Sequence, residues 1–183
     1  MIIALQKYQE NVVEYLLYMW QIEDLIRASN FKLEPIYNTV IKAQAQKPEH
    51  LEVVSQWYQE LIDAMIDEGV EQRGHLQQNN DLIVELTKLH HLLLNRLADH
   101  AYQEAYDKAL PFMNEYREHT DNPSMSDVET CLHAMYSKLL MRLKKQELGK
   151  ETEKAFDLFR SMLALLAKRF NEMRQGKLNY QYN

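Results

Sequence analysis

EYLLYMWQIEDLIRA, residues 14–28, decides the fold class. With its flanks it sets Leu5, Tyr8, Val12, Tyr15, Met19, Ile22 and Ile26 alternately three and four apart. That spacing puts them on one stripe of an α-helix, the side that faces a core. It predicts a helix over residues 4–29, ended by Ser29 and Asn30.

Working outward, the same period recurs. A short second helix is expected over 35–46, with Pro35 in the first turn, where proline has no N–H to lose. Pro48 opens a third to about Glu68, striped by Leu51, Val54, Tyr58, Leu61 and Met65, and Gly69 is placed for a left-handed C-terminal cap. Leu82, Leu86, Leu89, Leu93 and Leu97 mark a fourth over 76–97. A fifth, over 99–120, contains Pro111, which predicts a kink or restart near Leu110. Ser126 and Glu129 have the spacing of a capping box and start a sixth to about Leu148, stopped by Gly149. Phe156, Phe159, Leu163, Leu166, Phe170 and Met173 stripe a seventh over 151–175.

The expected fold is all-α, an irregular antiparallel bundle of six to seven helices. It forms one domain over 1–176, with a loose tail at 177–183. Composition agrees: Gly and Pro number only 4 each, too few for the turns of a β-rich fold. Cys131 stands alone, so no intramolecular disulfide forms and a reducing compartment is expected. The start, MIIALQKYQE, is broken by Gln6 and Lys7 and is too short for a signal segment. No run reaches the roughly 18 apolar residues of a membrane span. The expectation is a soluble, cytoplasmic protein with no membrane role. Net charge is −6, yet residues 138–183 hold 11 basic against 5 acidic residues. That basic end neutralises the acidic remainder, and the overall acidity argues against nucleic acid as a partner.

Beside the EYLLYMWQIEDLIRA run, four further stretches carry a family resemblance: GHL at 74–76, ELTKLH at 85–90, KALPF at 108–112 and ETCLHAMYSKLLMRL at 129–143. The chain resembles an uncharacterised all-helical family of Bacteroidetes proteins known only as a domain of unknown function. The resemblance covers nearly the whole chain and implies a small cytoplasmic bacterial protein. It implies no activity, cofactor or site residue.

A few residues break the helical pattern in ways that bear on chemistry. On a helical wheel Glu23 falls inside the apolar arc of the first helix, with Arg27 one turn on and Trp20 beside them. A carboxylate there is costly unless paired, so a Glu23–Arg27 ion pair, joined by Asp24, is expected. Arg142 projects with Met135 and Leu139, and Glu23 or Asp24 is expected to accept from it. The alternative reading makes Trp20, Glu23, Asp24, Arg27 and Arg142 the lining of a ligand pocket. His90 lies at the edge of the leucine arc, while His91 points to the wet side. His90 is expected to be a hydrogen-bonded boundary residue, or a general acid or base if a pocket reaches it.

Metal chemistry has little support. No His-x-x-x-His, His-x-x-His or Glu-x-x-His occurs. The pairs His100 with Glu104, Glu115 with His119 and Glu129 with His133 read as surface ion pairs, so no metal or cofactor is expected. Cys131 reads as a buried, inert thiol, and no phosphate loop, nucleophile elbow or dinucleotide fingerprint is present. Tyr18 faces the polar side and suits an interface. Function therefore has three readings. The first is a non-enzymatic helical protein acting through self-association or a protein partner. The second is a small-molecule binder or enzyme using the Trp20 pocket. The third is weak nucleic-acid binding through Lys138, Lys144, Lys145, Lys168 and Arg169.

Overall fold

The computed structural model describes residues 2–44 and 47–178, and all regular structure among them is helical. Eight helices follow in order: α1 Ile2–Glu10, α2 Val12–Ala28, α3 over residues 33–44, α4 Pro48–Asp67, α5 Gln77–Asn95, α6 His100–Glu118, α7 Asp127–Leu143 and α8 Lys150–Arg174. The middle of α3, Tyr37–Ile41, is wound as a wider π-turn.

The count exceeds the expected six to seven because the first expected helix is two. Asn11 leaves the helix and its Oδ1 accepts from Val13 N–H at 3.0 Å, restarting the chain as α2. The break shifts the phase of α1: Ala4 is buried and Leu5, expected on the core stripe, is 54% exposed. Beyond the break the stripe holds, with Val12, Met19, Ile22 and Ile26 buried.

Two further positions bear on the expected boundaries. Of the kink or restart expected at Pro111 there is no restart, since α6 passes through as one helix. Buried Ala109 and Met113 flank the proline and hold the helix, while Pro111 and Asp107 are exposed. The Asp107 carbonyl that loses its intrahelical partner therefore faces water. α7 stops at Leu143, well before Gly149, because Lys145 takes a left-handed φ of 54°. Lys145 N–H then bonds the Arg142 carbonyl and Gln146 N–H the Met141 carbonyl. Gly149 instead precedes α8. Gly69 does close α4 as expected, at φ 67°, with Val70 N–H on the Met65 carbonyl. Residues 179–183 of the expected tail lie outside the described residues.

Contacts divide the chain into two compact units: the N-terminal residues to Tyr8 with Glu14–Asp81, and Gln9–Val13 with the residues from Leu82 onward. In the first, Met19, Ile22 and Ile26 of α2 meet Ile36 and Ile41 of α3 and Val54, Tyr58, Leu61, Ile62 and Met65 of α4. Each such side chain, once fully buried, contributes about 1.5–3 kcal/mol.

In the second unit the phenylalanine stripe of α8 is buried from Phe156 to Phe170 against α6 and α7. α6 and α8 run antiparallel. Asp99, which caps the start of α6, holds Arg169 near the end of α8 at 2.6 Å, while Tyr116 near the end of α6 packs on Phe159. Ser126 accepts from Glu129 N–H and the Glu129 carboxylate accepts from Ser126 N–H, so the capping box forms. Ser126→Ala removes the first of these bonds, and urea unfolding should show a loss of about 1 kcal/mol.

Candidate functional site

Glu23 is the most constrained charge in the first unit. α2 sets it three and four residues after Trp20 and Met19, on the buried side, and it is 1% exposed. Its partner is not Arg27. Oε2 lies 2.6 Å from His75 Nδ1, and Oε1 accepts from Leu76 N–H at 3.1 Å and from the Asn79 amide at 2.7 Å. All three donors stand where the chain enters α5, where a helix has free N–H groups and the positive end of its dipole. Glu68 completes that start by accepting from Gln77 N–H at 2.6 Å. Serving Glu23 fixes the Asn79 amide, whose buried Oδ1 is left without a hydrogen-bond partner.

Trp20 covers this clasp. Its indole stacks on the His75 ring at 4.2 Å between centroids and 12° between planes. Arg27 works on the same loop from the other side: it donates to the Val70 carbonyl at 3.0 Å and to the Gly74 carbonyl, and pairs with Asp24 at 2.9 Å. Arg27 thus takes the carbonyls of the 70–74 turn and Glu23 takes the N–H groups beyond it. Gly74, at φ 88°, supplies the backbone turn between them.

His90 sits in the second unit within a separate network. It is 1% exposed, with Nδ1 2.8 Å from the Tyr102 hydroxyl and Nε2 3.5 Å from Asp127 Oδ2. The Tyr106 hydroxyl donates to the same carboxylate at 3.0 Å, and Arg117 donates to its other oxygen and to Thr130 Oγ1. The His90 ring, with Arg117 and Tyr106, holds the Asp127 carboxyl well below the usual carboxylate range, against the opposing effect of its partial burial. Burial, then Asp127, pushes the Tyr106 hydroxyl up to about 12. Burial lifts the Tyr102 hydroxyl further, with Cys131 and Asp127 adding to it.

Tyr102, His90 and Asp127 line up as an acid–base relay, yet Tyr102 is fully buried and its proton is held too firmly to move near neutral pH. Cys131 is buried too, and burial pushes its thiol up, away from the nucleophilic thiolate.

The expected site residues therefore separate. Trp20, Glu23, Asp24 and Arg27 gather around the 70–79 loop. His90 belongs to the Asp127 network, and Arg142 is exposed at the end of α7. Lys138 takes the inward place on that helix, 3.7 Å from Asp157 and over the Phe156 ring. Of the Glu and His pairs four apart, Glu104 instead pairs with Lys108 at 2.7 Å, and Glu129 is spent on the capping box. Among the described residues no three His, Cys, Asp or Glu side chains gather as a metal site, and no helix is long and apolar enough to cross a membrane.

The residues that sequence reasoning missed are His75, Asn79, Tyr102, Arg117 and Asp127. Their partners lie 10 to 56 positions away in the chain. The one signal pointing at them is the GHL turn at 74–76.

The chain's regular structure among the described residues is all helical, and its buried carboxylates, Glu23 and Asp99, are bonded at its own helix starts. The chain belongs to the family described as Domain of unknown function (DUF4924), which it matches over residues 1–177. No curated protein and no solved structure matches it.

Glu23→Ala strips a buried acceptor from three donors and should cost about 3 kcal/mol in urea unfolding, with Glu23→Gln losing less. Asp127 carries a pH dependence of definite sign. The unfolded chain takes up the Asp127 proton more readily than the folded one. Its contribution is complete above about pH 5 and declines as the pH falls through the unfolded value toward the folded one. The stability gap between the native chain and Asp127→Asn should narrow steadily from about pH 5 to pH 2 in pH-resolved thermal melts.

Proposed function

We propose that this protein works by association and not by catalysis, with a second copy of itself as the first partner. The observation that supports this is the saturation of the two clusters that look chemical, those around Glu23 and Asp127. Both oxygens of Glu23 are taken by His75, Leu76 and Asn79, and both oxygens of Asp127 by Arg117 and Tyr106. An active site keeps an acid, base or nucleophile in reach of substrate. Here Glu23, His90, Tyr102 and Cys131 are all sealed. Catalysis in the Trp20 pocket has the weaker support, since Trp20 is 1% exposed and its charged neighbours serve the 70–79 loop.

Apolar side chains left outside support the associative reading. Leu5, Val53 and Ile66 in the first unit and Val84 and Leu143 in the second are all more than a third exposed. Nucleic-acid binding loses three of the five basic residues it would use: Arg169 is paired with Asp99 and Glu172, Lys168 stands 4.0 Å from Glu172, and Lys138 is buried beside Asp157. The reading takes residues 1–176 as one functional domain in a bacterial cytoplasm. The family resemblance and the single buried thiol support that placement.

Light scattering after size exclusion, at roughly 10 to 300 µM protomer, should give a mass rising above the 21.8 kDa of one chain. A mass fixed at one chain across that range overturns self-association.

A further inference from the structure

The second unit holds a groove of about 270 Å³ where the end of α6, the end of α7 and the start of α8 meet. Its floor is apolar and mostly aromatic: Phe112 and Tyr116 from α6, Met141 from α7, Phe156 and Phe159 from α8. Ala155 leaves the space open, since a larger residue at this position would fill it. That volume suits a ligand on the scale of a ring with a short chain.

The formally charged side chains among the groove's lining residues are two carboxylates. Glu115 and Glu151 both line the groove, and among the described residues neither is hydrogen-bonded or ion-paired. They stand apart from Glu23, Asp99 and Asp127, each of which is held by donors of the chain. The rings themselves already hold cations on this chain. Lys154 Nζ lies 5.5 Å from the Phe112 centroid and Lys138 Nζ 5.2 Å from that of Phe156. An aromatic face attracts an ammonium through its quadrupole, and a nearby carboxylate adds to the attraction. His119 and Thr152 complete the rim with groups able to hydrogen-bond.

We propose that this groove binds a small organic cation with an apolar body: an aromatic or short aliphatic amine, its apolar part on the phenylalanine floor and its ammonium between Glu115 and Glu151. The apolar body supplies the binding and the two carboxylates supply the choice of charge. This site is independent of the associative reading, since it lies within one chain.

Three matched probes test it by NMR titration of the labelled protein: 3-phenylpropylamine, 3-phenylpropan-1-ol and 3-phenylpropionate. The amine should shift signals of Met141, Thr152 and Ala155, with a dissociation constant near about 1 mM for a ligand of this size. It should bind roughly fivefold tighter than the alcohol, and the carboxylate weaker still. Glu115→Gln with Glu151→Gln, both exposed, should keep the fold and bring the three probes level. Ala155→Phe should abolish all three. The proposal is overturned if the carboxylate binds as well as the amine, if the double glutamine variant keeps the preference, or if no probe shifts those signals at about 10 mM.

Discussion

A carboxylate with no access to water holds the first unit's chain in its path. Glu23 has lost nearly all its hydration, and a bare buried charge of that kind would cost several kcal/mol. Three donors at the head of α5 compensate: the Leu76 N–H, free because a helix begins there, and the His75 ring and Asn79 amide that the same helix start carries. The dependence is mutual: the helix start needs an acceptor, and the acceptor needs that start. Arg27 makes the same exchange with opposite sign on the Val70 and Gly74 carbonyls. A loop of polar backbone is thereby pinned between two side chains one helical turn apart.

The second unit repeats the device with other residues. Asp127 opens α7, where the helix dipole favours a negative charge, and Arg117 and Tyr106 of α6 close around it. Asp99 opens α6, caps it through Tyr102 N–H, and also holds Arg169 of α8. In each case an acid at a helix start reaches a second element. The arrangement gives the protein clusters that look chemical on a residue list. Their protons and lone pairs are already committed.

How much of this the sequence disclosed follows from range. The stripes of α2, α4, α5 and α8 were readable because three- and four-residue spacing is local, and Tyr58, Leu86 and Phe159 are buried where periodicity put them. The Ser126 capping box and the Gly69 cap were readable for the same reason. Asn11 went unread, since one polar residue inside an apolar period carries no sign that its side chain will cap. Glu23 is legible as a buried charge from its place on the wheel, but its partners lie 52 to 56 positions away and not at the four-residue spacing a helix displays. Arg142 and Lys138 share one helix face by arithmetic. Which of them turns inward is decided by Asp157 and Phe156 on another helix, which no wheel displays.

Both tryptophans fall in the first unit, Trp20 under the His75 ring and Trp57 half-buried against Tyr58. Indole emission from this protein therefore reports on that unit alone, while far-ultraviolet ellipticity counts the helices of both. The chain is in effect labelled by its own composition. Ordinary fluorescence and dichroism, recorded on one sample, reveal whether its halves melt together or in turn.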